Sequence, residues 1–263
     1  MAARAIWKGE LTISSTIIPV KLYAAVQDRD VRFHVVQGQN KTRVKQQMVT
    51  EKDRPLAKQD IRKGYEIEPG SFVVLEDEEL NELKPEESRA IDVSRFVSAS
   101  AISNEWYERP YYVGPDDDEG KYFALAEALN NQERTGIARW SMRGKSYVGA
   151  LRAEGGYLTL IKLRYSQEVL DARELPAPSG RPLAANELKM AEELIAVLEG
   201  KFNPEEFHDE YRERLQDFLA AKASGKKPNL PAIKEPTTRG TLEQQLAKSL
   251  AAWKPAKKEK EVA

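Results

Sequence analysis

The sequence predicts a mixed α+β chain that is mainly β: many short strands over residues 1–175, then a helical arm over residues 183–223. Three observations carry this. Short runs rich in β-branched and aromatic residues follow one another between polar turns, the pattern of a barrel or sandwich. A turn-rich break, PAPSGRP from Pro176 to Pro182, ends the series. Beyond it the apolar spacing changes from two to between three and four, the period of amphipathic helices.

The strand candidates, in order, are AIWKGELTI, IIPVKLYAAV, VRFHVV, SFVVLE, AIDVSRFV, RPYYVGP, GIARWSMR, SYVGALRA and YLTLIKLRY. In the last, Tyr157, Thr159, Ile161, Leu163 and Tyr165 share one face. Leu158 and Leu160 lie on the other, followed by Lys162 and Arg164, so that face is expected to be buried at one end and wet at the other. Two short helices are expected inside the series, around DEELNEL and KYFALAEALNN. After the break, Leu188, Ala191, Ile195 and Leu198 make one helical stripe with Gly200 as its stop. A second helix is expected to open with Asn203 as N-cap and Pro204 at the first position, with Phe207, Tyr211, Leu215 and Phe218 as its stripe. Residues 224–240, polar and dotted with proline, read as a flexible linker. Residues 241–263 read as a short helix, with Thr241 and Gln244 as a capping box and Leu242, Leu246, Leu250 and Trp253 as its stripe, and a basic tail expected to be disordered.

The composition excludes several classes. The chain has 263 residues, enough for one large domain or a domain with an appendage, and a formal net charge of -1. Cysteine is absent, which removes disulfides, thiolate zinc sites and cysteine nucleophiles and fits a reducing compartment. No apolar run reaches the length of a membrane span, and MAARAIWKGEL lacks the apolar core of an export signal. Both histidines, His34 and His208, read as structural or surface residues. RGKSY ends like a phosphate-binding loop, but the glycine required five positions before Gly144 is Arg139. PDDDEG reads as a solvated acidic turn. Nothing points to an enzyme, although abundant lysine leaves an amine-based lyase open.

Charge is unevenly placed. From Lys222 to the end, ten basic residues meet four acidic ones, so the tail carries +6 and the preceding body -7 of the whole -1. Within that acidic body, NKTRVKQQMVTEKDRPLAK, from Asn40 to Lys58, sets Lys41, Arg43, Lys45, Lys52, Arg54 and Lys58 against Glu51 and Asp53 alone. Basic residues recur at Arg62 and Lys63 and at Arg139, Arg143 and Lys145. A segment with cations and no aromatic side chain suits phosphate contact, which fixes position without reading sequence, rather than base stacking.

Several blocks then carry a family resemblance. IWKGELTISSTIIPVKLYAAVQDRDVRFHVV, DIRKGYEIEPGSFVVLEDEEL, SRAIDVSRFV, PYYVGPD, ARWSMRGKSYVGALR, LRYSQEV and ELKMAEELIAVLEGKFNPEEFHDEYRERL resemble, in order, the motifs of prokaryotic Ku proteins, across nearly all of residues 5–219. The resemblance implies a Ku-type β-barrel with a bridging loop over DNA and a helical C-terminal arm. It implies a homodimeric, cytoplasmic, nucleoid-associated ring that threads onto double-stranded DNA ends in non-homologous end joining and recruits an ATP-dependent ligase. Lys41, Arg43, Lys45, Lys52, Arg54, Lys58, Lys63, Arg139, Arg143 and Lys145 would then contact DNA. Leu188, Ile195, Phe207, Tyr211 and Leu215 would face the other subunit, and Leu242, Leu246, Leu250 and Trp253 the ligase. Many relatives carry a cysteine-containing, zinc-ribbon-like stretch where this chain has MVTEKDRPLAK, so no metal and no cofactor are expected. The alternative is a β-barrel module for single-stranded nucleic acid, with Trp7, Trp106 and Trp140 as stacking candidates.

Overall fold

The computed structural model describes residues 4–86, 88–177, 180, 182, 184–226 and 241–260, with the backbone alone from residue 253 onward. The chain divides into two compact units, Met1–Glu174 and Leu175–Ala263.

The first unit is mainly β. Its strands are β1 (Trp7–Ile13), β2 (Thr16–Ala24), β3 (Lys63–Glu68), β4 (Ser71–Leu75), β5 (Ala90–Ser98), β6 (Tyr107–Pro115), β7 (Arg134–Met142), β8 (Lys145–Glu154) and β9 (Tyr157–Leu163). Seven of them close into a barrel in the order β1-β2-β6-β9-β8-β7-β5. Every ladder is antiparallel except the seam, where β1 meets β5 in parallel through Glu10↔Ala90, Leu11↔Ile91 and Thr12↔Asp92. The segment between β2 and β5 therefore leaves on one side of β1 and returns on the other.

Alternation fills the barrel. Ile18, Val20 and Leu22 on β2, Leu158 and Leu160 on β9, and Leu11, Ile91, Val113 and Leu151 are all buried, as a strand with one inward face requires. The expected β9 pattern holds: Leu158 and Leu160 point inward, while further along Lys162 stays half-buried and pairs with Glu108 at 2.7 Å. Helix α2 (Glu119–Asn131) adds Tyr122, Ala126 and Leu129 to the same core. Its start is fixed by Asp118, whose carboxylate accepts from Lys121 N at 3.1 Å. Tyr122 is a polar member of that core. Its hydroxyl donates to the Val113 carbonyl and accepts from Leu158 N at 2.8 Å, and burial pushes the phenol up from its ordinary pKa.

Three details differ from the sequence expectations. Val31–Val36 forms no strand; Val36 alone makes an isolated bridge, to Arg43, and the run buries no face. Conversely, KGYEIE forms β3, which pairs with β4 in a two-stranded hairpin with no buried residue, and α1 (Asp77–Glu82) follows it. Lysine and glutamate in β3 hide its period of two.

The third difference lies in the helical unit, which holds α3 (Ala185–Leu198), α4 (Glu210–Ala223) and α5 (Leu242–Lys260). Asn203 caps only a 3-10 turn, Pro204–Glu206, by accepting from Glu205 N at 3.2 Å. The chain turns extended at Phe207, and α4 starts with its own cap, Asp209, which accepts from Arg212 N at 3.0 Å. The capping box of α5 forms as expected, with Thr241 and Gln244 exchanging bonds of 3.3 Å. Its helix runs on through Pro255 to Lys260, where disorder is expected from the sequence; residues 261–263 and 227–240 lie outside the described residues. α5 packs against α3, and Asn186 Nδ2 donates to Glu243 Oε1 at 3.0 Å.

Candidate nucleic-acid interface

The basic segment folds as two successive tips on the excursion between β2 and β3. In the first, Val44 N donates to Val35 O at 3.2 Å and Gln37 N to Thr42 O at 2.8 Å, so Val36 and Arg43 face each other. Lys41 turns the chain with φ 58°, and Asn40 Oδ1 accepts from Thr42 N, the short-range bonding that lets asparagine hold a turn. In the second tip, Leu56 N donates to Met48 O and Thr50 N to Arg54 O, both at 2.9 Å, and Asp53 turns with φ 55°. Lys41, Arg43 and Lys45 thus belong to the first tip, Lys52 and Arg54 to the second, and Lys58 begins the 3-10 turn that leads to β3.

A second set is carried by the β7–β8 hairpin. Arg143 and Gly144, at φ 54° and 68°, form its two-residue turn between the paired Met142 and Lys145. A turn with both central residues at positive φ matches the twist of the flanking strands. Arg139 stands on β7 opposite Asp92 and Val148. Two adjoining clefts, of about 460 and 200 Å³, share Ser88 and Ser141; Arg139 and Ser146 line the first, Arg89 and Arg143 the second. Ser88, Arg89, Ser141 and Ser146 are additions that linear reading misses, because three separate segments supply them.

All ten expected cations are exposed. Lys63 is engaged, with its Nζ 3.2 Å from Asp77 Oδ1, and its neighbour Arg62 holds Glu76 at 2.7 Å, both at the root of the β3–β4 hairpin. The other nine have no ion-pair partner among the described residues. That leaves their charge unneutralised, the state in which lysine and arginine attract phosphate. By contrast Trp140 is buried, with its ring against Gly149 and stacked on Tyr147 at 5.3 Å between centroids; Trp7 packs on the core and Trp106 is half-buried. Trp140 is therefore no platform for bases. Among the described residues no group of histidine and acidic side chains could hold a metal ion.

The helical unit places Leu188, Ile195, Phe207 and Tyr211 on its exposed surface, with Leu215 half-buried. Phe202 and Phe207 stack at 5.6 Å, both exposed. α3 turns Glu187, Met190, Leu194 and Val197 inward instead, so its second apolar stripe is left uncovered. Of the α5 stripe, Leu250 is buried, Leu246 half-buried and Leu242 exposed, while the Trp253 side chain lies outside the described residues.

Fold and cations together define a closed-barrel protein with a basic excursion between two of its strands. A family model described as the Ku70/Ku80 beta-barrel domain matches residues 12–190. The chain is 36% identical over 253 residues to the non-homologous end joining protein Ku 2 of Geotalea uraniireducens, covering 95% of this chain and 98% of that one. It is 34% identical to an Anaeromyxobacter protein Ku over 95% of this chain and 86% of the relative, and 32% identical to that of Archaeoglobus fulgidus over 85% and 89%. The chain belongs to the Ku family.

Proposed function

We propose that this chain binds the ends of double-stranded DNA without sequence preference, as a homodimeric ring, in non-homologous end joining. The observation that carries the reading is the set of nine exposed cations without ion-pair partners among the described residues, on the excursion between β2 and β3 and on the β7–β8 hairpin, in a body whose charge is otherwise negative. Phosphate contacts from such a set hold a duplex in place and leave its bases unread. The names of the relatives support the end-joining role. The chain acts by binding and topology rather than by chemistry. Two copies, joined through Leu188, Ile195, Phe207, Tyr211 and Leu215, close around the duplex and admit it at a free end. An ATP-dependent ligase is recruited through the C-terminal helix, with Leu242, Leu246, Leu250 and Trp253; because Leu250 is buried, that step requires α5 to lift from α3 or to present its outer face.

The test is an electrophoretic mobility assay on linear and covalently closed circular duplexes of one sequence. Retention of the linear form alone is expected. Equal retention of both would leave a polyanion binder without a ring.

A further inference from the structure

On the opposite chemical footing stands a cavity of about 700 Å³ on the outer face of β2, β6 and β9. Its walls are Tyr23, Tyr112 and Tyr157, and Gly114 forms part of its floor. Register explains the grouping. Tyr23 pairs with Tyr112 across β2 and β6, Tyr112 with Thr159 across β6 and β9, and their neighbours Leu22, Val113 and Leu158 point into the core. A Cβ at Gly114 would come to 3.0 Å from Tyr23 Cε2, so glycine lets that ring lie flat over the strand. Phe123 of α2 meets Tyr157 edge-on, at 6.5 Å between centroids. These rings are unusually open to water: Tyr157 is 59% exposed, Tyr112 54% and Phe123 44%.

One carboxylate lines the cavity, and two more lie on the helix that carries Phe123. Glu154 lines it from the end of β8, opposite Tyr157 in the ladder. Glu119 and Glu127 lie four residues either side of Phe123 and share its helix face. None of the three has an ion-pair partner among the described residues. The neighbouring cations are engaged elsewhere: Lys21 and Lys8 hold Asp116, Lys121 holds Asp118, and Arg152 bonds Tyr107 and the Ala99 carbonyl. Phosphate is repelled by such a surface. A guanidinium or ammonium is attracted by it, since ring faces stabilise a cation and the carboxylates neutralise it.

We infer that this cavity docks an arginine- or lysine-rich segment of a partner protein, with one cationic side chain seated among Tyr23, Tyr112 and Tyr157 and its neighbours paired with Glu119, Glu127 and Glu154. The site is separate from the basic surface that contacts DNA, so both can be occupied at once.

The probe is a fluorescein-labelled arginine–glycine repeat peptide, titrated with the full chain and followed by anisotropy. Saturable binding is expected. Tyr157→Ala and Glu154→Lys should each weaken it by about tenfold or more, the size of one lost cation–aromatic or charge contact in a partly desolvated site. Tyr157 is exposed, so its replacement leaves the fold intact, and linear-duplex affinity and sedimentation should stay unchanged. Peptide binding that is absent, or indifferent to both substitutions, would overturn the inference. So would loss of duplex affinity in Tyr157→Ala, which would make nucleic acid the occupant, or a change in its association state, which would make a second copy the occupant.

Discussion

At the scale of single residues, charge pairing divides the surface into neutralised and available groups. Asp116 illustrates the first kind. Its carboxyl is held below the usual range chiefly by its bond to Lys21, helped by Lys8, and the same bond to Asp116 raises the Lys21 ammonium. A carboxyl with a depressed folded value contributes stability above its unfolded pKa of about 3.9 and loses it as pH falls through the folded one. A lysine with a raised value contributes below about 10.4 and loses it as pH rises through the folded one. The pair is therefore fully effective between roughly pH 4 and pH 10. Thermal melts should show Asp116→Asn less stable than the parent at neutral pH, the gap closing as the pH drops below about 4. A gap that persists in acid would mean packing rather than charge. The second kind is Lys41, Arg43 and Lys45. Replacing all three by alanine should weaken duplex binding alike on every sequence and reduce the slope of log affinity against log salt by about one per contact. An unchanged slope, measured by fluorescence titration across salt, would remove the first tip from the interface.

Among the secondary-structure elements, the strongest periodicities were readable and the charged ones were not. The barrel strands announce themselves because one face of each must fill the core, and the capping box of α5 is spelled by Thr241 and Gln244. β3 was not legible: it buries nothing, so no apolar alternation marks it. The start of α4 is ambiguous in the sequence because Asn203 and Asp209 are both sound caps, and only the extended backbone at Phe207 decides between them. The clefts at Ser88 and the aromatic cavity at Tyr112 each join separate strands, which only register brings together. At this scale α5 gives a sharp contrast. Leu250 is 6% exposed and Leu242 43% exposed. Leu250→Asp places a charge in an apolar site and should cost several kcal/mol of the helical unit's stability, whereas Leu242→Asp should fall within about half a kcal/mol of the parent. Urea unfolding followed by circular dichroism checks both.

For the whole molecule, what stands out is how much apolar surface a single chain leaves open. Tyr211 is 68% exposed, with Ile195, Phe202 and Phe207 as bare as it is, and the β3–β4 hairpin carries Tyr65, Ile67, Phe72 and Val74 outside any core. Two strands alone are marginal in water, and apolar patches of this kind mark contact surfaces. Tyr211→Asp should leave the isolated fold as stable as the parent, because nothing buried is touched. It should still drive a dimer to monomer in sedimentation and remove linear-duplex retention with it. A mutant that stays dimeric would move the subunit contact away from α4.

The parallel seam has a mechanical meaning as well. The excursion that bears the basic tips is anchored at β2 and at β5, the two strands flanking β1, so a tug on it loads the ladders of β1 together with those to β6 and β7. On one side β1 holds β2 through seven residue pairs, and on the other it holds β5 through three. The β1–β5 ladder is the shortest in the barrel, and its parting would open the barrel into a sheet while the hairpin of β1 and β2 stayed whole. The strand on which the handle returns, β5, is thus also one side of the fuse.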